Sequence, residues 1–292
     1  MENSLKKGQS IDQQKCALCY ENTDLKLSHI VPKFVFSFIK RTSVTGKFRD
    51  PTDFKIRKQD GPKYRLLCGS CEQLLSESEK YFAEKVFIPY VNNENVNIKY
   101  DHKLQYYIES AHWRFLLTQM NSYESEQQKI LKDIEISIRS KLRFQKMKDV
   151  LVLLQLDYPN YPRWTSHFLY YMDARLISLL SDEIDYFKRM VICDLFFYKK
   201  RVYIYSYYCG LVICSVFNCR KIDFLNFHSH LVRKKGKFKL KKVNFNNIVI
   251  SHLLLVKHRG ISESLENVSK EEREEFQKLI EKGKNVKSRF TK

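Results

Sequence analysis

Cys16-Ala17-Leu18-Cys19 and Cys68-Gly69-Ser70-Cys71 frame the N-terminal part of the chain. Each CxxC pair bends back on itself and offers two sulfurs to one metal. Two pairs therefore suit a single tetrahedral four-thiolate zinc site, with a redox pair as the competing reading. Four thiolates close the coordination shell, so such a zinc is structural and any chemistry falls to groups around it. A chain that closes this frame must bring residues 16 and 71 to one point and wrap the intervening residues around it. The run Leu27-Ser28-His29-Ile30-Val31-Pro32 lies inside that loop. His29 is its histidine, and a neutral imidazole can take a proton from water near pH 7.

The frame needs reduced thiols, and the rest of the sequence agrees with that. The best apolar runs, Val150 to Leu154 and Leu211 to Phe217, fall far short of the ~20 residues of a spanning helix. Met1 to Lys7 lacks the apolar core of a signal peptide. A cytoplasmic chain with no membrane partner is expected, where paired CxxC motifs mean metal before disulfide. The other cysteines, Cys193, Cys209, Cys214 and Cys219, sit in or beside apolar stretches and read as core residues. The formal charge of +19 favours polyanions, which makes nucleic acid the first partner to consider.

The chain has 292 residues, 43% of them hydrophobic, with only eight glycines and six prolines. That suffices for two compact domains, or one large domain with an appended module, and argues against a long disordered linker. After the first knuckle, Leu25, Leu27 and Ile30 begin a short strand ended by Pro32. Phe34 with Phe38 and Val35 with Ile39 then recur at i, i+4 in a helix over 33–40. Thr42 to Lys63 reads as a loop with one weak hairpin. Tyr64 to Leu67 forms a strand into Cys68, and Glu72 to Val86 a helix, with Pro89 after its end. Asparagines in 90–99 mark a boundary. Two helices follow, His102 to Met120 and Glu124 to Met147, as a hairpin with one basic face. Val150 to Leu156 is a candidate strand. Met190 to Phe197 and Val202 to Phe217 pair across a turn at Lys199-Lys200-Arg201. Arg233 to Lys242 reads as a basic edge hairpin, and Ile248 to Lys257 is ambiguous. Ser262 and Ser269 are helix caps, the latter with Glu272 in a capping box. The expected fold is α+β: a zinc-braced ββα module (1–95), a helical hairpin (96–148) and a mixed α/β domain with an antiparallel sheet (149–292).

The order CxxC, His-Ile-Val-Pro, then Leu-Leu-Cys-x-x-Cys opening a helix resembles the HNH endonucleases of the zinc-ribbed ββα-metal (His-Me finger) kind, over about residues 16–89. The resemblance implies hydrolysis of nucleic-acid phosphodiesters, DNA before RNA, with His29 as the general base. Glu72, after the last cysteine, stands where the family places a ligand for a catalytic divalent ion. A carboxylate there suits Mg²⁺ or Mn²⁺. Relatives of this type act in defence against foreign DNA, which is the biological context implied. The chain departs from the pattern at Ser28, where the family often has a ligand, and at the middle asparagine that orients the base. Lys63 stands near its place, and Gln59 or Asp60 serves only if the loop folds back. Glu79 lies two turns beyond Glu72 on the same face; it assists Glu72 or pairs with Lys33 or Arg49.

Lys33, Arg49, Lys141, Lys146, Lys235 and Lys237 are the cations assigned to the nucleic-acid backbone, giving sequence-independent, salt-sensitive affinity. A metal pair at His228-x-His230 is a minor alternative. The competing function is a catalytically silent zinc module that binds nucleic acid or a protein. A protein partner and a homo-oligomer stay open.

Overall fold

The structure, a computed structural model, describes residues 15–21, 23–43, 48–49, 56–92, 97–153, 165–172, 189–218, 231–240, 242–243, 247–253, 269–271, 274 and 278. Helices and antiparallel sheets are mixed, as the sequence leads one to expect, and the four frame cysteines cluster. Among these residues no helix is long and apolar enough to cross a membrane.

Strand β1 (Leu25–His29) pairs antiparallel with β4 (Lys63–Cys68), and helix α2 (Gly69–Phe82) leaves directly from Cys68. Between them lie α1 (Lys33–Thr42) and a short pair, β2 (Phe48–Arg49) with β3 (Arg57–Lys58). That pair is the weak hairpin expected in the loop. Helix α2 does not stop before Pro89. A proline removes one helical N–H and crowds the carbonyl four residues back, here that of Lys85. A π-helical turn over Ala83–Phe87 widens the helix at that point, and the chain runs on into α3 (Ile88–Val91).

Strand β5 (Asn97–Tyr100) precedes α4 (His102–Gln119), whose first turn is capped by Asp101 accepting from the Lys103 N–H at 2.8 Å. Helix α5 (Ser125–Leu153) packs back along α4. Residues 150–153 therefore belong to a helix and not to the expected strand. Periodicity alone cannot tell a short apolar run from a continuing helix, and extending an existing helix is cheaper than nucleating a new element. The rest of that expected strand, 154–156, lies outside the described residues.

The main sheet runs β10 (Leu231–Val232), β6 (Ser166–Met172), β9 (Leu211–Phe217), β8 (Arg201–Tyr208), β7 (Val191–Tyr198), with β12 (Lys242–Val243) parallel to β6. Strands β7, β8 and β9 form a meander with two-residue turns at Lys199-Lys200 and Cys209-Gly210, all four residues at positive φ. Turns of that hand match the twist of the strands they join. Gly210 is at φ 97°, and a Cβ there would stand 2.4 Å from Tyr90 Oη. Gly210→Ala is expected to destabilise the protein by about 1–3 kcal/mol, read as a lower unfolding midpoint at unchanged denaturant slope.

Strand β11 (Gly236–Lys239) pairs with β5, over a hundred residues upstream, and not within a local edge hairpin. Ile98 and Tyr100 are buried, so β5 needs a ladder partner, and the Arg233–Lys242 region supplies it. Helix α6 (Ile248–His252) resolves the ambiguous stretch; Asn247 Oδ1 caps it by accepting from the N–H groups of Val249 and Ile250. The expected Glu272 cap, the His228-x-His230 pair and Cys219 lie outside the described residues, while Cys209 and Cys214 are buried as expected.

Helix α4 sits at the centre. Leu104 and every residue from Tyr106 to Leu116 are buried, all round the helix, which marks a helix enclosed on every side. The apolar positions Leu104, Tyr107, Ile108, Ala111, Phe115 and Leu116 are buried, and so are Glu109, His112, Trp113 and Arg114. One apolar core joins Leu18, Leu66 and Leu75 of the four-cysteine corner to Trp113 of α4, Leu131 and Ile138 of α5, and Ile204 of β8. All three expected segments thus share a core.

Glu109, His112, Trp113 and Arg114 of α4 each have a hydrogen-bond partner, as most buried polar groups do. Glu109 Oε1 accepts from Lys141 Nζ at 3.1 Å and meets His167 Nε2 at 3.1 Å. Ser215 Oγ lies 2.7 Å from Nδ1 of both His167 and His112. With His167 neutral, its Nε2–H donates to Glu109, Ser215 donates to its Nδ1, and Ser215 accepts from His112 Nδ1–H. His112 Nε2 is then a bare lone pair with no hydrogen-bond partner among the described residues.

Burial holds the His112 imidazole down at about 3. In the unfolded chain a histidine takes a proton near pH 6.5. Below that pH the unfolded state binds a proton that the folded state refuses, so stability falls as pH drops from about 6.5 toward 3. Denaturation midpoints are expected to fall between pH 7 and pH 4.5, and to fall less in His112→Gln.

Candidate functional site

The four-cysteine corner is built from backbone outward. The Cys16 N–H donates to the Glu21 carbonyl at 3.0 Å, and the Tyr20 N–H to the Cys16 carbonyl at 2.8 Å. With Tyr20 at φ 65°, the chain doubles back and returns Cys19 toward Cys16. The Ala17 N–H donates to the Leu66 carbonyl at 2.9 Å, which docks this knuckle on β4 beside Cys68. All four sulfurs then lie within 4.8 Å of one another.

A tetrahedral zinc with bonds of ~2.3 Å needs sulfurs ~3.8 Å apart, and Cys19 Sγ and Cys68 Sγ are 3.8 Å apart. The Cys68 N–H also donates to Cys16 Sγ at 3.3 Å. Burial pushes the Cys71 and Cys19 thiols up. Burial also pushes Cys68 up, but bonds from the Ser70 hydroxyl and the Cys71 N–H outweigh it and bring the thiol to about 6. Buried sulfurs resist ionising side by side, and a divalent cation removes that resistance. The donor set therefore fits zinc. Helix α5 backs the knuckle: the Arg139 guanidinium lies 4.5 Å over the Tyr20 ring.

The β1–β4 ladder slips at Lys26/Leu27: Lys26 pairs with Leu67 and Leu27 with Arg65. Such a bulge re-aims the side chains beyond it. Leu27 turns out to solvent and Ser28 turns in, where its hydroxyl donates to Glu72 Oε1 on α2. His29 ends the strand with its side chain 18% exposed. The loop before β4 does fold back. Asp60 Oδ1 lies 3.2 Å from His29 Nε2 and accepts from the Gly61 N–H at 2.9 Å, and Asp60 Oδ2 pairs with Lys63 Nζ at 2.5 Å. Burial raises the Asp60 carboxyl, but Lys63, the Gly61 N–H and His29 outweigh it and hold the group down at about 2. It is an anion at neutral pH and fixes Nε2 as the protonated nitrogen. Nδ1 then carries the free lone pair and has no hydrogen-bond partner among the described residues.

Arg114 enters from α4. It is fully buried; Nη1 donates to the His29 carbonyl at 3.0 Å and Nη2 to Glu79 Oε1. Glu79 is thus paired with Arg114; among the described residues it makes no pair with Lys33, and the Arg49 side chain lies outside them. Sequence reasoning missed Arg114, because nothing in a helix read as half-exposed marks one arginine for burial.

The assigned cations divide. Lys33, at the start of α1, is exposed, as are Lys235 and Lys237 around β11. Lys141 turns inward to Glu109 and is committed to that buried carboxylate. Exposed cations of α5 include Lys129, Lys132 and Arg143. Arg49 lies in β2 and Lys146 in α5, with side chains outside the described set. Among the described residues the four cysteines are the one group of three or more His, Cys, Asp or Glu ligands close enough to hold a metal. An ion at Glu72 would draw on that carboxylate and the Ser28 hydroxyl, both hard oxygen donors, and keep several waters, as Mg²⁺ commonly does. Comparison with protein-family models, curated proteins and solved structures gives no match.

Proposed function

We propose that the protein is a metal-dependent nuclease of HNH type, hydrolysing nucleic-acid phosphodiesters with His29 as general base. The observation that carries this is the His29–Asp60 pair at the end of β1, beside a four-cysteine corner and the helix it launches. Asp60 sets the tautomer and steadies the imidazolium as it forms. His29 Nδ1 takes a proton from water as the water oxygen attacks phosphorus, and the bond to the departing oxygen breaks. A Mg²⁺ or Mn²⁺ ion at Glu72 would supply positive charge for the departing oxygen. Lys33 and the exposed lysines of β11 and α5 hold the phosphate backbone. DNA as the preferred substrate, and defence against foreign DNA as its use, come from the resemblance of the 16–89 frame to that family.

One observation favours a second reading, a silent zinc module that binds nucleic acid or protein. Adjacent strand residues leave on opposite faces, and the hydrogen bonds follow that rule: Ser28 reaches α2 and Glu72, while the His29 ring turns to Asp60. The experiment is a cleavage panel of supercoiled plasmid, linear duplex and single-stranded RNA with Mg²⁺ or Mn²⁺ and a chelated control. Metal-dependent strand breaks are expected. Salt-sensitive binding with no cleavage of any substrate selects the second reading.

A further inference from the structure

We infer that Arg114 is a positioning residue for His29, supplied to the candidate site by the central helix α4, 85 residues along the chain. The inference rests on the nuclease reading for its catalytic consequence, but its geometry stands apart from it.

Three restraints meet at the end of β1. The His29 side chain is held by Asp60 at 3.2 Å, and the following N–H, of Ile30, donates to the Pro62 carbonyl at 3.2 Å. The third is the bond from Arg114 Nη1 to the His29 carbonyl at 3.0 Å. The His29 side chain, its own carbonyl and the N–H that follows are each tied to a different partner, so the His29–Ile30 peptide is held from both of its polar groups. Only Arg114 draws its restraint from outside the zinc-framed segment.

The plainer role for Arg114 is an internal ion pair that joins α4 to α2 through Glu79. That role needs one edge of the guanidinium. The observed side chain spends Nη2 on Glu79 and Nε on the Ser110 carbonyl at 3.4 Å, and turns Nη1 to the backbone of His29. A planar guanidinium can hold all three directions at once; a lysine ammonium at the end of a flexible stem cannot. The burial of this cation is therefore accounted for by two tasks, and the second acts on the residue read as the base. A reacting group displaced by 1 Å loses about 10²-fold in rate, which sets the scale of the effect.

The test compares wild type with Arg114→Lys, Glu79→Gln and the double variant Arg114→Met/Glu79→Met. The double variant removes both charges, so no buried ion is stranded if the single arginine change fails to fold. Two readouts are taken: kcat and KM for plasmid nicking, and the ¹³C shift of the His29 carbonyl with the ¹⁵N shifts of its ring. Arg114→Lys and the double variant are expected to lower kcat by about 10²-fold with KM within about twofold. Glu79→Gln, which breaks the ion pair and spares the bond to His29, keeps kcat within about threefold. The His29 carbonyl and ring signals move in the two arginine variants and stay in place in Glu79→Gln. Unchanged His29 signals in Arg114→Lys overturn the inference. So does a loss of kcat in Glu79→Gln as large as in Arg114→Lys, since that pattern belongs to the ion pair alone. If wild type cleaves nothing, the nuclease reading fails while the His29 shifts still decide whether Arg114 holds that peptide.

Discussion

Replacing His29 with alanine is expected to slow phosphodiester cleavage by about 10²- to 10⁴-fold, the range that a positioned general base contributes. The loss should fall on kcat, because the imidazole acts on water and not on the phosphate backbone that Lys33 and the β11 lysines would hold. The fold should survive. His29 is partly exposed, and Asp60 keeps Lys63 and the Gly61 N–H once the ring is gone. Asp60→Asn leaves an acceptor near Nε2 but removes the charge that steadies an imidazolium, so it should lose less than His29→Ala and more than wild type. Nicking rates of the three proteins at equal zinc content check this order. Equal rates in wild type and His29→Ala would remove His29 from the chemistry.

The second large effect concerns the zinc corner. One zinc per chain is expected by elemental analysis, and Cys68→Ser or a strong chelator should unfold the β1–β4–α2 unit. Structural zinc contributes about 10–16 kcal/mol to small metal-dependent folds, as much as the whole stability of an ordinary domain. The damage should spread further than the loop. Cys16, Cys68 and Cys71 share a core with Trp113 and Ile204, so loss of the metal should expose α4 and lower the unfolding temperature of the sheet with it. Near-UV circular dichroism during chelation, with Trp113 as the reporter, follows that spread. A metal-free protein with the wild-type melting curve would contradict the structural role.

The parts of this protein that were legible in the sequence are those fixed by local chemistry. The CxxC spacing foretold the cysteine cluster. The i, i+4 pairs Phe34–Phe38 and Val35–Ile39 foretold α1, and the β-branched runs around Lys199-Lys200 foretold the β7–β8 hairpin. Asp60 was visible as a conditional partner for His29, and the condition is met because the loop folds back onto β4. What the sequence hid depends on contacts far apart in the chain. The β5–β11 ladder joins residues 97–100 to 236–239, and no local pattern selects that partner. Arg114 reads as an ordinary polar position of an amphipathic helix until α2, α5 and the sheet enclose α4 on all sides. Lys141 reads as a surface cation until Glu109 is buried beneath it. Pro89 reads as a helix stop because the sequence does not announce the π-helical turn that accommodates it.

These buried charges also bear on how the site can work. Glu79 is taken up by Arg114, and Asp60 by His29 and Lys63, so Glu72, which accepts only from the Ser28 hydroxyl among the described residues, is the carboxylate proposed for an ion. The central claim, that His29 and Glu72 together cleave nucleic acid, is tested most directly by plasmid nicking in Mg²⁺ or Mn²⁺. Wild type, His29→Ala and Glu72→Ala are compared, each shown first to hold the same zinc. Metal-dependent nicking by wild type and its loss in both variants are expected; equal cleavage by all three proteins would remove both residues from the chemistry.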